Sequence, residues 1–243
     1  KEESELKSFI SNKPIKEKKF DSMGDAKDFV ERYDQVNGFD IYGNANYTNQ
    51  FIQKKYPGKI EFDMNLINIL KFDIEVDVSD KFPDMTVCDN EITSISIKSS
   101  KSDTYHLLAL KDYDKTKTIS GVDPDDIQFM KFENEAGLLK RFVEIWRGNY
   151  PDIVTGWNVE YFDIYYIIMR LISVFGEEKT KELSPWGLVP KKKTRKIFNK
   201  NQSTFDISGV SVIDYMDAFK KFGFKYGPQE SYKLDHIAHA VLG

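Results

Sequence analysis

A pair of closely spaced carboxylates gives the clearest chemical signal in this sequence. Asp73 and Glu75 lie in the segment Phe72-Asp-Ile-Glu-Val76, where apolar and charged residues alternate. A period of two predicts a β-strand that carries both carboxylates on one face, roughly 6–7 Å apart. Two like charges at this spacing repel each other unless a cation lies between them. The pair therefore predicts one half of a divalent-metal site, because hard oxygen ligands suit Mg²⁺ and Mn²⁺.

Asp163 is the candidate for the other half of the site. The segment Thr155-Gly-Trp-Asn158 leads into a mostly apolar run from Tyr161 to Phe175, which predicts a buried helix. An acidic residue at the start of such a helix is expected to face a cleft or a cation. Structural readings stay open: Asp73 and Glu75 could form a solvated strand face, and Asp163 could serve the helix dipole alone.

Composition narrows the function classes. The 243 residues are 40% hydrophobic and 30% charged with a net charge of −4, which fits one or two globular domains and argues against nonspecific coating of nucleic acid. No apolar run is long enough to span a membrane, so no membrane partner is expected. Cys88 is the single cysteine, which excludes an internal disulfide and a cysteine-based zinc cluster and fits a reducing compartment. The spacing of His236 and His239 does not match a zinc-binding helix.

The order of the elements predicts an α/β fold, in which a mixed sheet is flanked by helices. Residues 1–66 look too thin for a large core and are interpreted as a partial N-terminal domain, with a helix from Met23 to Val36 and a strand from Lys59 to Met64. Residues 67–243 form the second domain, which opens with a three-strand meander. In it we expect strands near 70–78, 92–98, 104–110, 127–132 and 153–154, and helices at 134–147, 161–175, 212–222 and from 231, where Ser231 is the expected cap.

A basic run interrupts the second domain. Residues from Leu188 to Ile207 are predicted to form a protruding hairpin of two short strands around this run. Its cations include Lys191, Lys192, Lys193, Arg195, Lys196 and Lys200, with no acidic residue among them. The run is either a solvated loop or a contact for the DNA backbone, and the second reading implies a strong salt dependence of binding. Trp157, Tyr161 and Phe162 could stack on unpaired bases, although aromatic residues in this setting more often pack in the core.

Several of these segments together resemble one enzyme family. Phe72-Asp-Ile-Glu75 is similar to the first exonuclease motif of the family B DNA polymerases, and Asn158-Val-Glu-Tyr-Phe-Asp163 is similar to the second. The subgroup from T-even-like bacteriophages is closer still, and its resemblance covers most of the chain. It extends to Thr155-Gly-Trp-Asn158, Gly209-Val-Ser-Val-Ile-Asp-Tyr-Met-Asp217, Lys220-Lys-Phe222 and Ser231-Tyr-Lys-Leu-Asp235.

The resemblance implies a 3′→5′ proofreading exonuclease with a ribonuclease-H-like fold. By this resemblance Asp73, Glu75 and Asp163 are the catalytic residues and bind two Mg²⁺ or Mn²⁺ ions. The ions would activate the attacking water and stabilise charge on the phosphodiester. The expected DNA contacts are Asn158, Phe162, Lys191, Lys192, Lys193, Arg195 and Lys196. The implied partners are single-stranded and primer-template DNA, a sliding clamp and replisome proteins, in the cytoplasm of an infected bacterium.

The third exonuclease motif of that family, Tyr-x-x-x-Asp, has no good match in the sequence. Tyr232-Lys-Leu-Asp235 has the wrong spacing, although Asp235 remains an alternative fourth ligand. We therefore interpret the chain as a monomeric fragment that is weak or inactive on its own. Two other functions stay open: a non-catalytic module that binds single-stranded nucleic acid, and a stand-alone nuclease of the ribonuclease-H-like class.

Overall fold

The chain folds into two compact units, Lys1–Phe62 and Asp63–Gly243. The computed structural model describes residues 6–42, 47–117, 121–197 and 200–243, and for positions 47, 115, 193–197 and 200–202 it describes the backbone alone. The division falls close to the predicted boundary after residue 66.

The described residues of the first unit contain two α-helices. Helix α1 spans Met23–Tyr33, three residues shorter at its end than predicted, and helix α2 spans Tyr47–Lys55. Ser22 caps α1, because its Oγ accepts a hydrogen bond of 3.1 Å from the backbone N–H of Asp25. The strand predicted from Lys59 to Met64 is wrong, since no described strand pairs with this segment and a 3-10 turn begins at Met64.

A six-stranded mixed sheet organises the second unit. Its strands are β1 (Ile69–Val76), β2 (Ile92–Ser99), β3 (Tyr105–Ala109), β4 (Ile127–Lys131), β5 (Ile153–Gly156) and β8 (Ser211–Asp214). They lie in the order β4-β3-β2-β1-β5-β8, with β1–β2 and β2–β3 antiparallel and the other pairs parallel. The predicted meander and the mixed sheet are confirmed.

Five helices accompany the sheet among the described residues of this unit. They are α3 (Glu135–Gly148), α4 (Asp163–Phe175), α5 (Glu177–Thr180), α6 (Tyr215–Phe222) and α7 (Leu234–Leu242). Asn134 caps α3 as predicted by accepting from the N–H of Gly137 at 3.0 Å, and Gly176, at φ +87°, ends α4. The predicted cap at Ser231 is wrong, because α7 begins after Lys233 and has no side-chain cap.

The helix predicted from Val212 to Phe222 divides into two elements. Residues Ser211–Asp214 form β8, which pairs in parallel with β5, and the helix α6 starts at Tyr215. A short apolar run of this kind fits a strand as well as a helix, and the edge of β5 offers it backbone partners. The change places Asp214 at the junction of a strand and a helix.

The alternating pattern of β1 determines which of its side chains face the core. Leu70, Phe72 and Ile74 are buried, and the ring of Phe72 lies 5.8 Å from that of Phe142 and 6.1 Å from that of Trp146, both on α3. Asp73 and Glu75 are consequently left exposed. The apolar face of β1 thus fixes the orientation of both candidate ligands.

The predicted basic hairpin forms a separate two-stranded antiparallel sheet. Its strands are β6 (Lys191–Ile197) and β7 (Lys200–Phe205). The hairpin is confirmed, but the predicted position of the basic run between the two strands is wrong, because most of the run lies within β6. No helix in the described part of the chain is both long enough and apolar enough to cross a membrane.

Candidate active site

The candidate site lies where β1 meets the start of α4. The side chain of Asp163, the first residue of α4, is 2% exposed, and its Oδ1 accepts a hydrogen bond of 3.0 Å from the backbone N–H of Ile74. Ile74 lies between Asp73 and Glu75 in β1. The structure therefore brings the second exonuclease-like segment against the first, as the sequence predicts.

The charges at this junction are poorly compensated. The pKa of Asp163 is raised to about 8, mainly by burial and then by the negative charge of Asp73. The backbone N–H groups of Ile74 and Asp163 oppose this shift, and the charge of Asp214 adds a smaller increase. Partial burial of its carboxyl also raises the pKa of Asp73. A cation between Asp73 and Asp163 would favour the ionised form of both groups.

The donor set fits a hard divalent cation in its chemistry. Carboxylate oxygens are the ligands that Mg²⁺ and Mn²⁺ prefer, and Asp73 and Asp163 supply them from two rigid elements. Among the described residues, however, no group of three or more acidic, histidine or cysteine side chains is gathered closely enough to hold a metal. Glu75 shares the face of Asp73 without joining such a group, and Asp235 is exposed in the first turn of α7.

The segment between β5 and α4 depends on two special backbone positions. A Cβ atom on Gly156 would lie 2.9 Å from the carbonyl oxygen of Phe72, so only glycine allows this close approach to β1. Asn158 has φ +60°, in the left-handed region that asparagine tolerates better than most residues. Its carbonyl accepts from the N–H of Phe162 at 3.0 Å, which closes the turn before α4.

Asp214 is a buried carboxylate near this site that sequence reasoning missed. It is 6% exposed, and its two oxygens accept hydrogen bonds from the backbone N–H groups of Asn158, Glu160 and Met216 at 3.0–3.2 Å. The sequence does carry a signal for it: an aspartate follows the apolar pair Val212-Ile213 and precedes a helical pattern, which is typical of a helix N-cap. Interpreting the whole segment as a helix concealed this junction.

The aromatic candidates are engaged within the protein. Trp157 donates from Nε1 to the carbonyl of Tyr232 at 3.0 Å, and its ring lies 5.9 Å from that of Tyr215. Phe162 stacks on Tyr166 at 5.8 Å and packs against the core. For these side chains the structure favours the packing interpretation. The DNA contacts of Asn158 and Phe162 stay predictions.

Two of the five basic candidates have described side chains. Lys191 lies over the ring of Phe205 with its Nζ 5.9 Å from the centroid. Lys192 places its Nζ 3.7 Å from Glu160 and 3.5 Å from Asp206. The side chains of Lys193, Arg195 and Lys196 lie outside the described part of the structure.

Comparison with known proteins identifies the family. A model of the exonuclease domain of DNA polymerase family B matches residues 35–237. The chain is 31% identical over 98% of its length to the DNA-directed DNA polymerase of Enterobacteria phage T4 and 32% identical over 96% to that of Escherichia phage RB69. It is 27% identical over 88% of its length to the DNA polymerase catalytic subunit of Human herpesvirus 6A.

These relatives are much longer proteins. The chain covers 28% of the T4 polymerase, 27% of the RB69 polymerase and 23% of the herpesvirus subunit. The matched region includes β1, the segment before α4 and the basic hairpin. This extent of the match confirms the resemblance drawn from the short motifs, and the chain belongs to the exonuclease domain of the family B DNA polymerases.

Proposed function

We propose that this chain provides the 3′→5′ proofreading exonuclease activity of a replicative DNA polymerase, hydrolysing the terminal phosphodiester of a primer strand. The observation that carries the proposal is the buried carboxyl of Asp163 held against β1, close enough to Asp73 for their charges to interact. The match to the exonuclease domain of DNA polymerase family B supports hydrolysis of a phosphodiester as the type of reaction.

Asp73, Glu75 and Asp163 are the proposed catalytic residues and would hold two Mg²⁺ or Mn²⁺ ions. Such ions lower the pKa of bound water and stabilise charge on the attacking and leaving oxygens of a phosphodiester. The chain contributes the orientation of the ligands: the core face of β1 directs Asp73 and Glu75 outward, and the N–H of Ile74 holds one oxygen of Asp163. Asp163 and Asp73 would then hold a cation through their carboxylate oxygens.

Substrate contacts are proposed at Asn158, Phe162 and the basic hairpin. The hairpin would attract the DNA backbone through its cations, of which Lys191 has no acidic partner within 4 Å among the described residues. Phe162 is half-buried and stacks on Tyr166, so only part of its side chain is open to a base. Lys193, Arg195 and Lys196 are included on the strength of their position in β6.

The setting proposed for this activity is the cytoplasm of an infected bacterial cell, with primer-template DNA, a sliding clamp and other replisome proteins as partners. Support comes from the two phage relatives, which are named DNA-directed DNA polymerases. We propose that the 243-residue chain is a monomer. We also propose that it cleaves DNA weakly or not at all by itself, because one carboxylate motif of the family has no match in its sequence.

The test combines metal binding with cleavage. In the chain itself, titration calorimetry with Mn²⁺ should detect binding that Asp163→Asn and Asp73→Asn weaken by about tenfold or more. In the polymerase that contains the chain, Asp73→Ala should slow degradation of a 5′-labelled single strand by about 100-fold or more. Asp217→Asn is the matched control, since Asp217 lies half-buried on α6 and pairs with Lys220.

An active Asp73→Ala polymerase would overturn the catalytic assignment. Binding of single strands without cleavage, independent of Mn²⁺, would instead favour a binding module.

A further inference from the structure

The segment from Trp157 to Phe162, here called the entry loop, determines where Asp163 lies. Within the loop the N–H of Phe162 donates to the carbonyl of Asn158 at 3.0 Å, and the N–H of Ile164 donates to the carbonyl of Val159 at 2.9 Å. Val159 is fully buried. Because Asp163 follows this compact turn directly, any displacement of the turn moves its carboxyl group relative to β1.

Asp214 anchors the entry loop from the neighbouring strand. Its Oδ1 accepts from the N–H of Asn158 at 3.1 Å, and its Oδ2 accepts from the N–H of Glu160 at 3.2 Å. A buried carboxylate with several backbone donors makes strong, charge-assisted hydrogen bonds. Oδ1 also accepts from the N–H of Met216 at 3.0 Å, so three backbone donors hold this carboxylate.

A second contact holds the same loop from the hairpin. Thr204 of β7 is 5% exposed and donates from Oγ1 to the carbonyl of Glu160 at 2.9 Å. The residue Glu160 is therefore fixed at its N–H by the sheet edge and at its carbonyl by the base of the hairpin. These two contacts leave the loop little freedom to shift.

We propose that Asp214 is a positioning residue of the exonuclease site: by binding the N–H groups of Asn158 and Glu160 it holds the entry loop so that Asp163 meets Ile74 of β1. Asp214 itself touches neither metal nor substrate in this role. The inference rests on the proposed function for the importance of Asp163, while the positional link between Asp214 and Ile74 can be measured without any activity.

The competing interpretation is that Asp214 serves only as the N-cap of α6. Asp214→Ser separates the two roles, because a serine can still cap the helix through Met216 but is too short to hold both loop amides. Asp214→Asn keeps the shape of the side chain but replaces one acceptor oxygen with a donor. Asp217→Asn, three residues along α6, is the matched control.

The first measurement is amide hydrogen exchange, followed by NMR, on the metal-free chain. Asp214→Ser should speed exchange at Asn158 and Glu160 by about tenfold or more, because each amide loses its acceptor. The decisive amide is Ile74, which does not touch Asp214 but donates to Asp163. It should also exchange about tenfold faster in Asp214→Ser and remain unchanged in Asp217→Asn.

The second measurement is Mn²⁺ affinity in the same variants. Asp214→Ser should weaken binding by about 10- to 100-fold, as expected for a group that orients a ligand, and Asp214→Asn should lie between it and the unaltered chain. Faster exchange at Asn158 and Glu160 with Ile74 and Mn²⁺ affinity unchanged would overturn the proposal and leave Asp214 as a loop and helix cap.

Failure of the proposed function gives a different pattern. If Asp163→Asn leaves Mn²⁺ affinity intact, the metal assignment is wrong, but the effect of Asp214→Ser on Ile74 is still expected. If the Asp214 variants do not fold, amide exchange in the unaltered chain is the test. The amides of Asn158, Glu160 and Ile74 should then exchange through one opening with a common free energy. Three different free energies would contradict the coupling between Asp214 and Ile74.

Discussion

At the residue scale, Asp163 carries an electrostatic penalty that makes stability depend on pH. Its pKa is raised from 3.8 to about 8 by burial and by the charges of Asp73 and Asp214. In the unfolded chain the carboxyl loses its proton near its ordinary pKa, whereas the folded chain keeps it until about pH 8. The folded state thus binds more protons between these limits, and its stability falls as pH rises through them.

Asp163→Asn should remove this pH dependence, because an amide does not ionise while its oxygen can still accept from Ile74. Both proteins are first treated with a chelator. Between about pH 5 and about pH 8.5, the free energy of unfolding of the unaltered chain should fall relative to that of the variant by on the order of a few kcal/mol. Urea denaturation at both pH values measures the difference. Parallel pH profiles for the two proteins would show that Asp163 ionises normally in the folded chain.

At the scale of elements, a buried ion pair joins α3, α4 and the segment before β2. Arg170 forms a two-pronged ion pair with Glu135, with side chains 10% and 4% exposed, and also donates to the carbonyls of Cys88 and Asp89 at 3.1 Å. Glu135 accepts in addition from the N–H of Ile92 at 2.8 Å. The pair thereby fixes the two main helices of the unit to the beginning of a central strand.

Breaking this pair should be costly. Glu135→Gln leaves the guanidinium of Arg170 buried without its counter-charge, so we expect a loss of about 3–5 kcal/mol in the free energy of unfolding. Arg147→Met is the comparison, since its pair with Glu182 is exposed, and should lose about 1 kcal/mol or less. Chemical denaturation of both variants measures the contrast, and similar losses would mean that the buried pair has no special structural role.

The sequence predicted those elements whose pattern is local. The alternation around Asp73 and the apolar run after Asp163 were sufficient to identify β1 and α4, and the order of the short motifs brought the two together. Asp214 was not predictable in this way, because its partners Asn158 and Glu160 lie 56 and 54 residues earlier in the chain. The strand β8 also depends on a distant partner. It forms because its backbone pairs with the edge of β5, and a four-residue apolar run does not show whether such a partner is present.

At the scale of the whole molecule, the net charge of −4 conceals an uneven distribution. The basic residues of the hairpin stand together without an acidic residue between Lys191 and Lys200. Among the described side chains, Lys192 forms ion pairs with both Glu160 and Asp206, while Lys191 lies over the ring of Phe205. A phosphate backbone would therefore gain more from Lys191 than from Lys192, whose charge is already partly compensated.

This difference predicts how salt affects DNA binding. If the hairpin contacts the backbone, Lys191→Ala should reduce the slope of log K against log salt for a single-stranded oligonucleotide by about 0.7, the value for one phosphate contact. Lys192→Ala should reduce it less, and Lys220→Ala, which removes a lysine paired with Asp217 on α6, should leave it unchanged. Fluorescence anisotropy over a series of salt concentrations measures the slopes. Equal slopes for Lys191→Ala and Lys220→Ala would mean that the basic run is a solvated strand, and that DNA reaches the carboxylates of β1 and α4 along another surface.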